Sequence, residues 1–197
     1  MNEHTLTNEQ RMAVNFDKLI NSRFLTLMGD PQLREVLGKF GTEPFRRSSV
    51  IEGFISFVEN QKFSGERCVE IGTWCGLTAI ILARHFKEVI TIDTEDHPLK
   101  RQILDHLGID NVLCVEAGSR EEKAAILRDL PFDAAYLDGD HTNDTEFDFD
   151  LVSRCQRVMF HEYWPPQQPV WQLVNRLKDA GDRVTWVHKF ALWVHLR

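Results

Sequence analysis

The stretch EIGTWCG, from Glu70 to Gly76, decides how the rest of this sequence is interpreted. It follows a short apolar run and precedes LTAIILARHF, whose apolar residues predict a helix. Two glycines four apart at a strand-to-helix junction, Gly72 and Gly76, are typical of a loop that holds a small ligand against bare backbone. A tight turn without any ligand is the alternative interpretation.

Strand-like and helix-like segments alternate from Arg67 onward, which predicts parallel strands joined by right-handed crossovers. Gly108 is expected to end the second of these helices, and Ser119 to open the third with a capping box. The last two strands, RVTWVHK and FALWVHLR, are too close for a helix between them and must form an antiparallel hairpin. We therefore predict an α/β fold whose seven-stranded sheet is mostly parallel and is closed by an antiparallel C-terminal hairpin strand.

Bulk properties indicate one compact domain that binds neither nucleic acid nor membrane. The chain has 197 residues, a net charge of -7 and a pI of about 5.6, which argues against a nucleic-acid-binding surface. No apolar run has the length of a membrane span, and the polar N-terminus lacks a signal core. Together with the absence of CxxC pairs, this predicts a cytoplasmic protein. Residues 1–66 are predicted to form a helical cap or lid on the α/β domain of residues 67–197.

The residues around the glycine loop favour a nucleoside over a dinucleotide. Asp93 ends the second predicted strand, where a carboxylate can hold both ribose hydroxyls, and we prefer it to the following acids of DTED because it ends the apolar run. Trp74 stands where a GxGxxG motif would need glycine, and Glu70 would repel phosphates. Gly118 and Ser119 follow the third strand, where an adenine edge would lie.

Three motifs in order resemble those of class I S-adenosylmethionine-dependent methyltransferases: VEIGTWCGLTA, VITIDTED, and FDAAYLDGDHTNDTEFDFDLV followed by VMFHEYWPP. The third is similar to a small-molecule O-methyltransferase-like subgroup with a DGDH motif. His161-Glu162 departs from the His-Asp of that subgroup, and the usual glycines before the fifth strand are missing. The resemblance implies a Rossmann-like doubly wound fold and S-adenosylmethionine as cofactor. The residues that it assigns to the cofactor are Glu70, Gly72, Thr73, Gly76, Asp93, Gly118, Ser119 and Asp138.

Asp138 and the pair His161-Glu162 end neighbouring strands in the sheet order that the resemblance implies, and should converge on the methyl donor. One interpretation is a Mg²⁺ or Mn²⁺ site of Asp138 and Glu162, helped by His141 or His161, which would lower the pKa of an acceptor hydroxyl. A second is a metal-free site with His141 or His161 as general base beside Asp138. In the third, Asp138 and Asp140 only stabilise the turn and cap the next helix.

The leading hypothesis is an S-adenosylmethionine-dependent methyltransferase that acts on a small molecule, at an oxygen atom. A nicotinamide-dependent oxidoreductase on a similar sheet is one alternative, which the spacing of GTWCG disfavours. A non-catalytic nucleoside-binding or oligomerisation module is another, and a homo-oligomer is compatible with each hypothesis.

Overall fold

The computed structural model describes residues 30–45, 51–163, 169–187 and 189–195. The chain divides into two compact units, Met1–Glu52 and Gly53–Arg197. The predicted cap of residues 1–66 falls partly outside the described residues, and its role as a lid stays a prediction.

The described part of the first unit contains helix α1 (Pro31–Phe40) and a 3₁₀ turn (Glu43–Phe45). Asp30 starts α1, because its carboxylate accepts hydrogen bonds from the backbone N–H groups of Gln32 and Leu33. Gly41 ends α1 with a φ of 70°. Helix α2 (Ile51–Asn60) leads into the second unit.

The second unit alternates strands and helices, as the sequence predicts. Its strands are β1 (Gly65–Ile71), β2 (Phe86–Asp93), β3 (Val112–Glu116), β4 (Ala134–Leu137), β5 (Arg157–Phe160), β6 (Arg183–Val187) and β7 (Phe190–Val194). Its further helices are α3 (Leu77–Ala83), α4 (Pro98–His106), α5 (Arg120–Leu127), α6 (Thr145–Val152) and α7 (Pro169–Asp179). Helix α3 is shorter than predicted, because Phe86 already begins β2.

The strands form one sheet in the order β3-β2-β1-β4-β5-β7-β6. Strands β1 to β5 pair in parallel, whereas β7 is antiparallel to both of its neighbours. This confirms the predicted Rossmann-like α/β fold with its antiparallel C-terminal hairpin. Strands β2 and β3 lie on one side of β1, and β4 lies on its other side. The strand order therefore reverses between β1 and β4, and such a switch point is where α/β sheets bind ligands.

Helix ends follow the sequence signals closely. Gly108, with a φ of 64°, follows α4, and the N–H of Ile109 donates to the carbonyl oxygen of Leu104 across 3.0 Å. Ser119 and Glu122 form the predicted capping box at the start of α5.

The core lies on both faces of the sheet, and all four residues of β4 are buried. Among the described residues, no helix has the length and apolar character that crossing a membrane requires.

Candidate functional site

The polar residues that the sequence singles out lie at the carboxyl edge of the four central strands. Ile71 of β1 pairs with Ile92 of β2 and with Leu137 of β4, and Leu137 pairs with Phe160 of β5. The residues that follow these positions are therefore side by side at one edge. They are Gly72, Asp93, Asp138 and His161.

The glycine loop between β1 and α3 has an unusual backbone. Gly72 and Gly76 have φ angles of 86° and 82°, and Trp74 has a φ of 46°. A Cβ atom on Gly72 would lie 2.3 Å from the carbonyl oxygen of Asp138. The space beside Gly72 is thus filled by the protein's own backbone, which ties the glycine loop directly to the end of β4.

Asp93 fixes this loop to the end of β2. Its Oδ2 accepts hydrogen bonds from the backbone N–H groups of Thr73 and Trp74, at 2.8 and 2.7 Å. Its Oδ1 accepts another from the N–H of Thr94 at 2.8 Å. Two carboxylate oxygens offer about four lone-pair positions, so one is left for a ligand hydroxyl. The ribose role predicted for Asp93 is untested, and its role in shaping the loop is an addition to that prediction.

Glu70 is fully buried at the end of β1. The hydroxyl of Thr78 donates to its Oε1, and its Oε2 has no hydrogen-bond partner among the described residues. Burial raises the pKa of Glu70 to about 8, and the hydrogen bond from Thr78 offsets only part of this effect. The Oγ1 of Thr73 is also buried without a partner. Neither atom is exposed to solvent, and the nearby Thr73 side chain lowers the pKa of Glu70.

Gly118 and Ser119 follow β3 and form the start of α5. Their N–H groups donate to Oε2 of Glu122, at 2.8 and 3.1 Å, while Oγ of Ser119 accepts from the N–H of Glu122 at 3.2 Å. The Ser119 oxygen is therefore used by the helix cap. Within 4 Å, a Cβ on Gly118 would meet only that Glu122 oxygen, so the backbone here is open to an approaching ring.

Asp138 brings His141 and His161 together, and we call these three residues the Asp138 cluster. Oδ1 of Asp138 lies 2.6 Å from Nδ1 of His161 and 3.2 Å from Nε2 of His141. Burial alone would raise the pKa of Asp138, but the hydrogen bonds and charges of His141 and His161 outweigh it and hold the pKa below its ordinary value. The three catalytic residues predicted from the sequence thus form one contiguous group.

Glu162 contacts His161 of this cluster and Lys189, and the metal site predicted for Asp138 and Glu162 stays a prediction. Glu162 has a φ of 58°, and its Oε1 lies 3.4 Å from Nζ of Lys189 and 3.7 Å from Nε2 of His161. Lys189 thus balances the charge of Glu162, while the two histidines surround Asp138. These contacts lessen the repulsion between two carboxylates that motivated a shared Mg²⁺ or Mn²⁺ ion.

Asp140 acts as the turn residue of the DGDH segment. Its carboxylate accepts from the N–H of Thr142 at 2.8 Å and from Nδ2 of Asn143 at 3.1 Å. These bonds hold the pKa of Asp140 well below its usual range. The structural interpretation of the motif thus describes Asp140. It does not describe Asp138, whose carboxylate contacts side chains of the cluster.

Two residues that the sequence interpretation missed support the cluster. The hydroxyl of buried Tyr136 donates to Oδ2 of Asp138 across 3.1 Å, and the ring of Phe190 stacks on His161 with 5.2 Å between centroids. Tyr136 precedes Asp138 by two positions, and period-two alternation places both on one face of β4. Phe190 could have been found only from the register between β5 and β7.

A buried ion pair packs against the turn that follows β4. Nζ of Lys123 contacts Oδ1 of Asp148 at 2.6 Å and Oδ2 of Asp144 at 3.0 Å. The other oxygen of Asp148 lies 3.3 Å from the position that a Cβ on Gly139 would take. This pair fixes α5 and α6 against the turn that carries Asp138 and His141.

The donor set fits a cofactor that combines a nucleoside with a cationic group. Asp93 and Asp138 are acids at strand ends on either side of β1, and such a pair favours positive charge and hydroxyl donors over phosphates, whereas its raised pKa keeps the buried Glu70 mostly protonated at neutral pH. The unpaired Oε2 of Glu70 and the open backbone at Gly118 provide the corresponding acceptor and ring surface.

Comparison with protein families gives one match in this region. Residues 69–159 match a family model described as a methyltransferase domain. A search of curated proteins found no match to this chain.

Many solved structures share the fold at low sequence identity. A candidate O-methyltransferase from Klebsiella pneumoniae has a TM-score of 0.60 and 21% identity, covering 89% of this chain and 96% of its own. A candidate methyltransferase from Streptococcus mutans, solved with SAH, has a TM-score of 0.53 and 14% identity, with coverages of 71% and 97%. An rRNA methylase from Streptococcus thermophilus has a TM-score of 0.55 and 15% identity, with coverages of 75% and 97%. At these identities the likeness concerns the fold.

Proposed function

We propose that this chain, of which residues 69–159 match a methyltransferase domain, transfers a methyl group from S-adenosylmethionine to an oxygen atom of a small molecule. The match to a methyltransferase domain confirms the enzyme class that the sequence motifs predicted. The acceptor and the atom that is methylated are our proposal.

The observation that carries the proposal is the position of the Asp138 cluster beside the glycine loop. Asp138 is in backbone contact range of Gly72, and it holds two imidazole rings at a strand edge that is partly open to solvent. S-adenosylmethionine supplies a methyl group on a sulfonium, which a nucleophile takes by in-line displacement. A hydroxyl nucleophile must lose its proton in this reaction, and the cluster is the group at this edge that is suited to promote that loss.

The residues around the cluster each bind a different part of the cofactor in this proposal. Asp93 shapes the loop and keeps one lone-pair position for a ribose hydroxyl, while Glu70 offers an acceptor in a buried position. Gly118 leaves room for the base. Asp138 orients the imidazoles through its Oδ1, and Tyr136 orients Asp138 through its Oδ2.

Two chemistries would promote loss of the acceptor proton. A neutral imidazole can accept it directly, and His141 is the more accessible of the two, with about 24% of its side chain exposed against 11% for His161. A divalent ion held by the cluster can instead lower the pKa of the hydroxyl. Mg²⁺ or Mn²⁺ bound by Asp138 and Glu162 was the form expected from sequence, and the pairing of Glu162 with Lys189 disfavours it.

We also propose that the acceptor is neither nucleic acid nor a membrane lipid. The net charge of -7 disfavours a phosphate backbone, and the acids that surround the site strengthen this effect locally. The cytoplasmic location and the homo-oligomer considered from the sequence stay predictions.

The proposal is tested in two steps. Calorimetry should detect binding of S-adenosylmethionine and of S-adenosylhomocysteine, and no binding of NADH. Release of S-adenosylhomocysteine is then followed with a panel of phenols, catechols, sugars, hydroxy acids, amines and a short RNA. We expect turnover with hydroxyl compounds only, and its loss by about 100-fold or more in Asp138→Asn.

The exposed acid Asp150 gives the matched control, because Asp150→Asn makes the same chemical change away from the site. Turnover only on amines or RNA would reject the proposed acceptor. Cofactor binding without turnover on any compound would favour a non-catalytic binding module.

A further inference from the structure

We infer that Asp138, His141 and His161 form a binding site for one divalent transition-metal ion, of the class of Zn²⁺, Co²⁺ or Fe²⁺. The inference deepens the proposed function, since it names how the acceptor would be activated. Metal binding is nevertheless measurable without any methyl acceptor.

The geometry of the cluster is close to that of a metal site. One donor atom from each of the three residues lies within 4.8 Å of the other two. Oδ1 of Asp138 is 2.6 Å from Nδ1 of His161 and 3.2 Å from Nε2 of His141. Ligands that surround an ion at about 2.1 Å are separated by roughly 3.0–3.5 Å. Shifts of about an ångström or less would bring the three atoms into one coordination sphere.

The donor atoms select the class of metal. Two imidazole nitrogens and one carboxylate oxygen match the two-histidine, one-carboxylate set that binds transition metals and leaves positions open for other ligands. Mg²⁺ prefers oxygen atoms and retains water, so a set with two nitrogens binds it poorly. The expectation from sequence was instead a Mg²⁺ or Mn²⁺ ion on Asp138 and Glu162, with His141 or His161 as a helper.

The neighbours of the cluster are placed like the residues that orient metal ligands in known metal sites. Tyr136 donates to the second oxygen of Asp138, and Phe190 fixes the ring plane of His161 by stacking. Oε1 of Glu162 lies 3.7 Å from Nε2 of His161, the nitrogen that faces away from Asp138. A carboxylate behind a ligating histidine sets its tautomer and increases its basicity. Glu162 is thus placed to assist His161 and not to bind the ion.

The side chains of the Asp138 cluster are exposed enough for an ion to reach them from solution. The side chains of Asp138 and His141 are each 24% exposed, and that of His161 is 11% exposed. The alternative is a purely hydrogen-bonded cluster, in which both imidazoles donate to Asp138. These two states make different predictions for metal affinity.

The test uses the full chain without a histidine tag, stripped with a chelator and then titrated with Co²⁺, Zn²⁺, Mn²⁺ and Mg²⁺. We expect visible Co²⁺ absorption that saturates at one ion per chain, and Zn²⁺ binding at least about 100-fold tighter than Mg²⁺ binding. His141→Ala and His161→Ala should each weaken Zn²⁺ binding by about 100-fold or more, and Glu162→Gln by about 10-fold.

His195→Ala is the matched control, because His195 is exposed outside the cluster and its loss should leave the affinity unchanged. Circular dichroism verifies that each variant is folded, and Asp138→Asn serves where an alanine variant is not. Equal affinities for Zn²⁺ and Mg²⁺, or Zn²⁺ binding that survives loss of both histidines, would overturn the inference. Metal binding without methyl transfer would reject the proposed function alone, and metal-independent methyl transfer by a protein that binds no Zn²⁺ would reject the metal site alone.

Discussion

Gly72 and Asp138 are packed backbone against backbone, so that the glycine loop lies directly against the end of β4. A Cβ atom on Gly72 would lie 2.3 Å from the carbonyl oxygen of Asp138 and 2.6 Å from the N atom of Gly139. The position of the acid in the cluster thus depends on the absence of a side chain in the glycine loop.

Gly72→Ala should therefore destabilise the fold strongly. The variant combines a φ of 86° with a backbone clash, and we expect the free energy of unfolding to fall by at least about 2 kcal/mol. Gly108→Ala is the control, since Gly108 has a φ of 64° but no atom within 4 Å of the added Cβ. It should cost only about 1–2 kcal/mol, the cost of placing a Cβ atom in the left-handed region. Urea denaturation measures both, and equal costs would contradict the role assigned to the clash.

Asp93→Ala should impair both the fold and cofactor binding. It removes the acceptor for the N–H groups of Thr73 and Trp74, which are charge-assisted hydrogen bonds. We expect a loss of on the order of 2–3 kcal/mol in the free energy of unfolding and weaker binding of S-adenosylhomocysteine. Urea denaturation and calorimetry measure these quantities. Glu95→Ala, at an exposed acid on the same segment, should change neither. Weaker binding in Glu95→Ala alone would transfer the ribose role to Glu95.

Glu70 should make the stability of the ligand-free protein fall as the pH rises. Burial raises its pKa from 4.5 to about 8, so the fold favours the protonated acid. The stability linked to Glu70 is complete below about pH 4.5 and is lost as the pH rises through about 8. Glu70→Gln resembles the protonated acid and should not show this loss.

The measurement is urea denaturation of both proteins from pH 5 to pH 8. Other titrating groups are common to the two and cancel in the difference. Glu70→Gln should gain on the wild type across this window, by at most about 4 kcal/mol, since each pKa unit corresponds to about 1.4 kcal/mol. Parallel stability curves would show that Glu70 does not titrate in this range.

Lys123→Met should destabilise the protein because it leaves Asp148 buried without its partner. Asp148 is 2% exposed, and the loss of one member of a buried ion pair costs about 3–5 kcal/mol. The double variant Lys123→Met/Asp148→Leu removes both charges and should recover much of that cost. A double-mutant cycle by urea denaturation tests this. Additive effects of the two substitutions would contradict a direct ion pair.

Local sequence signals predicted those parts of the structure that depend on local chemistry. The capping box at Ser119 and the left-handed Gly108 follow from interactions over a few residues, and the short connection before Phe190 forces the hairpin. The approach of His161 to Asp138 was also predicted, because the resemblance implies that β4 and β5 are neighbours and the carboxyl ends of adjacent parallel strands meet at one edge.

The orientation of Glu162 could not be predicted in the same way. Successive residues of a strand point to opposite faces, so His161 and Glu162 could not both face Asp138 on a regular backbone. The structure resolves this with a φ of 58° at Glu162, and Lys189 of the hairpin then binds its carboxylate. The hydrogen bonds from the N–H groups of Thr73 and Trp74 to Asp93 could not be predicted either. They depend on a loop backbone in which Trp74 has a positive φ of 46°.

The position of β7 inside the sheet has a consequence for the order of assembly. β6 precedes β7 in the chain, yet it joins the sheet only through β7, which pairs with β5. The hairpin is thus attached to the rest of the sheet only through the pairing of β7 with β5, and contacts between distant parts of the chain form slowly. Since Phe190 of β7 provides the ring that stacks on His161, we expect the Asp138 cluster to take its final arrangement late in folding, after the glycine loop.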